Sequence, residues 1–288
     1  MKISRNLSRL FLCVAVYAGG AAAGEDRGAA LVLGDSVAFG YISTVGYEYF
    51  YTKPENFFGF ADDLGRSLGL DVVNAACPGE TSGSFISSAA QDNGCREYRE
   101  LYPLHEGYKS AQLDFATQYL HTHRDVRLVT ITLGANDAFL LEASCASYPT
   151  PQEVAACIEA GVPGLLSEVA GNLGKILYEL RTGGYSGAIV LTNYYSLDYS
   201  DTAGTALTAA LNSAIEAPAK AYGAVVANVF SAYQRAASTT AAGGKTCNTG
   251  LLNPDVYKQF VCNIHPTRTG HRLIAEVVTK ALRTAAAF

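Results

Sequence analysis

The 288-residue sequence predicts an α/β fold in which helices cover both faces of a mostly parallel, five-stranded sheet. Three observations carry that expectation. Five short apolar, β-branched runs recur along the chain, and helix-period stretches separate them. Hydrophobic residues make up 49% of the chain against 16% charged, enough to bury a full core in one large domain or two small ones. Parallel strands need long crossovers, and the stretches between the runs are long enough to be helices.

The first run, Ala30 to Leu33, is followed by a helical stretch from Phe60 to Leu68 and a second run, Leu70 to Val73. A helix over Ala111 to His121 precedes the third run, Leu128 to Leu133, and a long one over Val154 to Arg181 precedes the fourth, Ala188 to Thr192. Helical periodicity over Thr205 to Tyr222 leads to the fifth, Ala224 to Val229. Each run reads as a strand buried on both faces. The tail Gly270 to Leu282 repeats Leu273/Ile274, Val277/Val278 and Ala281/Leu282, a one-sided helical stripe. Two long stretches break the alternation: Tyr41 to Phe60, rich in aromatics, and Phe230 to His265, rich in Ala, Thr and Gly. The aromatics read either as a loop packed on the core or as an apolar wall for a substrate's acyl chain.

Residues 1–23 have the pattern of a signal peptide: Lys2, Arg5 and Arg9, an apolar stretch from Leu10 to Ala18, and a small-residue cleavage site at Ala21-Ala22-Ala23. The apolar stretch is too short for a bilayer, and no later run is long enough, so no stable membrane anchor is expected. Residues 24–288 then form the folded domain, secreted or periplasmic. The net charge of −5 comes without a basic run, which argues against nucleic-acid binding. Cleavage removes Cys13 from the seven cysteines and leaves six, as an oxidising compartment favours. Fifteen pairings are possible. The cysteines fall in three close pairs, Cys77/Cys95, Cys145/Cys157 and Cys247/Cys262, so neighbour pairing is expected. No C-x-x-C or H-x-x-x-H occurs, so no metal site is expected.

The first strand ends in Gly34-Asp35-Ser36, which puts a serine where open α/β sheets bind ligands. The second ends in Asn74-Ala75-Ala76-Cys77-Pro78-Gly79, and the third in Gly134-Ala135-Asn136-Asp137. Ser36 N–H, Gly79 N–H and the Asn136 side chain are three donors able to hold an oxyanion. Each residue alone also reads as a turn or cap residue. Among five histidines, only His265, in His265-Pro266 before the last helix, sits on a loop at the expected edge of the site; His105, His121, His123 and His271 do not. Histidine titrates near neutrality and can carry a proton from the serine to a leaving group.

In this order the four blocks resemble the SGNH (GDSL-type) hydrolase family, over nearly the whole chain after residue 23, and the three cysteine pairs resemble its secreted, disulfide-containing esterase and lipase branch. The resemblance implies one three-layer α/β/α domain and hydrolysis of carboxylic esters through an acyl-enzyme. It implies Ser36 as nucleophile, His265 as base, and an oxyanion hole of Ser36, Gly79 and Asn136. It further implies a small-molecule or lipid ester substrate, no metal or organic cofactor, and a monomer. A carbohydrate acetyl esterase on the same fold is the alternative.

One position departs from the family. An Asp usually stands three residues before the histidine, and here that residue is Cys262. Three readings are open: a backbone carbonyl near Cys262 orients His265, Asp255 is folded back to do so, or the site is degenerate and the protein only binds.

Overall fold

A computed structural model describes residues 27–43, 48–254 and 262–286. The expected signal peptide and Asp255 lie outside the described residues. The elements in chain order are β1 (Ala29–Gly34), α1 (Ser36–Phe39), α2 (Glu48–Tyr51), α3 (Phe60–Leu68), β2 (Asp71–Asn74), α4 (Ser82–Ile86), α5 (Cys95–Leu101), α6 (Gln112–Thr122) and β3 (Val126–Thr132). They continue with α7 (Ala135–Cys145), α8 (Pro151–Thr182), β4 (Ala188–Thr192), α9 (Thr202–Glu216), β5 (Val225–Ala227), α10 (Val229–Ala237) and α11 (Arg268–Ala286).

The five strands pair in the order β2-β1-β3-β4-β5, every pairing parallel. Right-handed crossovers decide the layers. The step from β1 to β2 runs one way and puts α3 on one face, where α11 packs against it. The later steps run the other way and put α6, α8 and α9 on the opposite face. The direction reverses at β1 and β3, so the crevice beyond their carboxyl ends is the topological switch point, where such sheets hold ligands.

Burial on both faces holds for β1 and β4, and for β3 apart from the exposed Arg127. It does not hold at the sheet's edges: Asp71 in β2 is exposed, and Val72, Val73, Val225 and Val226 are half-buried. An edge strand has a neighbour on one side only, so less of it is covered. The Phe230–His265 stretch is not all loop, since it holds most of α10, capped by Asn228 and burying Val229, Ala232, Tyr233 and Ala237 at helical spacing. By length and composition α8 is long and apolar enough to cross a membrane, which run length in the sequence missed because Glu153, Glu159 and Glu168 interrupt it. Val169, Leu173, Ile176, Leu177 and Leu180 of this helix are buried in the core.

Several described residues of the aromatic stretch pack on the core, whereas Tyr49 is exposed. Phe57 and Tyr51 are buried, Phe57 meets Phe39 at 5.1 Å between ring centres, and Tyr51 meets Tyr102 at 5.2 Å. Tyr47 lies outside the described residues. All three neighbour cysteine pairs stand at bonding distance: Cys77–Cys95, Cys145–Cys157 and Cys247–Cys262.

Candidate active site

The carboxyl end of β1 is built around a glycine that nothing else can replace. Gly34 has φ +126°, and a Cβ there would lie 2.1 Å from the Thr132 carbonyl oxygen of β3. The chain stays close to β3 for one more residue, since Asp35 N–H donates to Thr132 O at 3.0 Å, and then turns into α1. The Asp35 carboxylate caps that helix by accepting from Val37 N–H at 2.9 Å, and it also accepts from the Tyr194 hydroxyl. Burial pushes the Asp35 carboxyl up to about 7, against the pull of those hydrogen bonds. Ser36, half-buried, is left facing the crevice.

His265 comes to the same point from the far end of the chain. Its Nε2 lies 3.0 Å from Ser36 Oγ, and its Nδ1 lies 2.8 Å from Asn263 Oδ1. Among the described residues, the partner of Nδ1 is a neutral side-chain amide, that of Asn263, rather than the backbone of Cys262; Asp255 lies outside the described residues. Sequence reasoning missed Asn263 because an Asn in a short loop reads as a turn former. The ring is buried, its edge is covered by Tyr41 at 4.9 Å, and burial lowers its pKa to about 4.

Gly79 and Asn136 stand on the other side of Ser36. Gly79 has φ +85°, and a Cβ there would fall 2.4 Å from the Asn93 carbonyl oxygen. Asn136, in the first turn of α7, donates from Nδ2 to Glu80 O at 3.0 Å and accepts at Oδ1 from Asn93 Nδ2 at 2.8 Å. An amide nitrogen has two hydrogens, so one remains for another acceptor. Ser36, Gly79, Asn136 and His265 line one cavity of about 240 Å³.

A buried polar cluster that the sequence reading overlooked ties these parts together. The Gln112 side chain, on α6, accepts from Gly34 N–H at 2.6 Å and donates to Gly34 O at 3.1 Å, as a neighbouring strand would. The same Nε2 donates to the Glu80 carboxyl at 2.9 Å, which also accepts from Ser84 Oγ at 2.5 Å. Burial pushes Glu80 up to about 7. The only signal in the sequence is a polar residue on the inner face of a helix. Cys77, Glu80 and Cys95 converge within 4.8 Å, but both sulfurs are consumed by the disulfide, which leaves one carboxylate and no metal-binding set.

A second cavity, of about 320 Å³, opens on Ser36 and His265. Its apolar walls include Ala138, Phe139, Leu165, Leu197, Leu207 and Leu211, supplied by α7, α8, α9 and the segment before α9. The described residues of the aromatic stretch supply none of these walls, but its Tyr41 lines the smaller cavity.

The model of the GDSL-like lipase/acylhydrolase family matches residues 32–273 of the chain. The chain belongs to that family. No curated protein matches this family member. Among solved structures, the phospholipase A1 from Streptomyces albidoflavus NA297 is 18% identical, with 88% of this chain and 99% of that one covered at a TM-score of 0.56. The acetyl xylan esterase from Geobacillus stearothermophilus is 13% identical, with coverages of 89% and 96% and a TM-score of 0.52. An alpha/beta hydrolase enzyme from the Lake Arreo metagenome is 14% identical, with 90% and 96% covered at a TM-score of 0.52. At these identities the likeness is one of fold. Membership places this GDSL-like chain among the acyl ester hydrolases, and its sheet and helices have the architecture of that family.

Proposed function

We propose that the protein is an exported serine hydrolase of the esterase/lipase type, acting on carboxylic esters through an acyl-enzyme on Ser36. The observation that carries the reading is the 3.0 Å contact between Ser36 Oγ and His265 Nε2 at the mouth of an apolar cavity. As Oγ bonds to the ester carbonyl carbon, its proton passes to Nε2. The carbonyl oxygen becomes an oxyanion facing the Ser36 and Gly79 N–H groups and the remaining Asn136 amide hydrogen. Collapse breaks the bond to the alcohol oxygen, which takes the proton from Nε2. Water then repeats the sequence, giving up a proton to Nε2 and releasing the acid from Ser36.

The apolar cavity favours an acyl chain longer than acetyl, because an acetyl group would leave most of its walls unfilled. One structural neighbour is named a phospholipase A1 and another an acetyl xylan esterase, so fold similarity does not choose between lipid and carbohydrate esters. Three disulfide pairs and the N-terminal pattern support export. The test compares acetyl and octanoyl esters of one chromogenic alcohol on the oxidised protein. Octanoyl is expected to be preferred in kcat/KM, and Ser36→Ala is expected to lower turnover by about 10³-fold or more. Strong preference for acetyl would select the carbohydrate acetyl esterase, and full activity in Ser36→Ala would remove the serine mechanism altogether.

A further inference from the structure

Asn263 Oδ1 has two neighbours: His265 Nδ1 at 2.8 Å and the main-chain N–H of His265, also at 2.8 Å. The second contact decides the first. A main-chain N–H only donates, so the Asn263 atom that faces it is the amide oxygen. An amide oxygen only accepts, so Nδ1 carries a hydrogen. Neutral imidazole has one N–H, which leaves the lone pair on Nε2, facing Ser36 Oγ.

We propose that Asn263 is the positioning residue for the base: its side-chain oxygen holds His265 as the Nδ1–H tautomer, with Nε2 free to accept the Ser36 proton. The proposal rests on the Ser36–His265 reading above and adds to it the residue that makes His265 competent. Asn263 lies one position beyond Cys262, where sequence comparison leads one to look for a carboxylate.

The loop is built to keep Asn263 in place. Its own N–H donates to Asn253 O at 3.0 Å. Asn253 returns two bonds to the loop's far end, from Nδ2 to His265 O at 3.1 Å and to Pro266 O at 2.8 Å. Tyr195 donates to Ile264 O at 2.5 Å, and the Cys247–Cys262 disulfide anchors the residue before Asn263. Among the described residues, these restraints are all uncharged. The titratable groups near the histidine, among the described residues, are Tyr41 against its edge, Asp35, Tyr98, Tyr194 and Tyr195 in the shared cavities, and His271 on α11, with Glu142, Asp198 and Asp201 elsewhere along the larger cavity. A neutral amide fixes the tautomer as a carboxylate does, but it gives the imidazolium only a dipole to lean on.

Three measurements decide. In ¹⁵N-histidine-labelled protein near neutral pH, His265, assigned by its loss in His265→Ala, is expected to show a protonated Nδ1 and a bare Nε2; the opposite tautomer overturns the proposal. Asn263→Ala is expected to lower kcat by on the order of 10² to 10⁴ with KM within about twofold, the scale on which a mis-set tautomer acts. Wild-type turnover in that variant overturns it. Asn263→Asp is expected to keep kcat within about tenfold and to raise the acid limb of kcat/KM by about one pH unit or more, because a carboxylate beside Nδ1 favours the imidazolium. An unmoved limb overturns it. Should Asn263→Ala fail to fold, the tautomer measurement and Asn263→Asp still decide. Failure of the two readings separates cleanly: an active Ser36→Ala removes the serine mechanism, whereas an inactive Ser36→Ala beside a fully active Asn263→Ala removes only the role of Asn263.

Discussion

The two halves of the candidate site are held by opposite means. The half with Ser36, Gly79 and Asn136 sits on strand ends and a helix start, bound from behind by the buried carboxyls of Asp35 and Glu80 and the amide of Gln112. The half with His265 sits on a loop between Cys262 and α11, held by Asn253, Asn263, Tyr195 and a disulfide, none of them charged. Burial raises Asp35 and Glu80 to about 7 and lowers His265 to about 4, so both halves favour uncharged forms. The consequences for pH run in opposite directions. Between about pH 4 and 7 the native protein holds protons on Asp35 and Glu80 that the unfolded chain has lost, so that contribution to stability falls as pH rises through about 7. Between about pH 6.5 and 4 the unfolded chain protonates a histidine that the native protein keeps neutral, so that contribution falls as pH drops toward 4. In the proposed mechanism, then, the described partners of the base are uncharged, and loop geometry takes the place of charge.

The largest expected effect tests the hole half. Asn136→Ala removes one oxyanion donor and the bond to Glu80 O, and kcat is expected to fall by about 10² to 10³, the scale seen when one such donor is lost; steady-state kinetics on an ester substrate read it. The next tests the loop half. Replacing Cys247 and Cys262 together by Ser opens a link across 15 residues, and denaturant unfolding is expected to show a loss of about 3 kcal/mol. If His265 is held by that loop, kcat should fall in the same variant. Unchanged turnover would show that Asn253 and Tyr195 suffice. The smallest is a sign test. Glu80→Gln keeps the Gln112 bond on its amide oxygen, reverses the Ser84 contact so that the new amide N–H donates to Ser84 Oγ, and removes the proton linkage. The variant is expected to unfold at a higher temperature than the wild type above pH 7 and at the same temperature near pH 4, with the gap bounded by about 3 kcal/mol for a rise from 4.5 to about 7. A gap of equal size at both pH values would mean that Glu80 is not held neutral.

How much of this was legible in the sequence follows the same division. β-branched runs and their terminal Gly, Ser and Asn located the strands and the residues that gather with Ser36 at one cavity, because strand ends impose backbone demands such as φ +126° at Gly34 that leave a mark on residue type. α3 has the bounds its periodicity predicts, Phe60–Leu68. Neighbour pairing of cysteines also followed from spacing. α7 and α10 were missed, the first because it starts on Ala135, directly after the Gly134 that follows the third run, without a linker, the second because Ala-rich sequence blurs an apolar stripe. Asn263, Gln112 and Glu80 were missed because a hydrogen bond between residues far apart in sequence, or to a side chain whose rotamer is set by its loop, leaves no periodic trace. The aromatic stretch left two readings open. Its composition suits either a pocket wall or a core, and only packing shows that the apolar walls of the larger cavity come from α7, α8, α9 and the segment before α9, while Tyr41 lines the smaller one.

The most direct test of the account is the pH dependence of covalent labelling by a serine-directed phosphonate. The account predicts one label per molecule, on Ser36, with a rate that rises through an inflection near pH 4 and stays level up to neutral pH, because a neutral, buried His265 is already the base. Labelling of another residue, no labelling, or an inflection at the ordinary histidine value of 6.5 would contradict it.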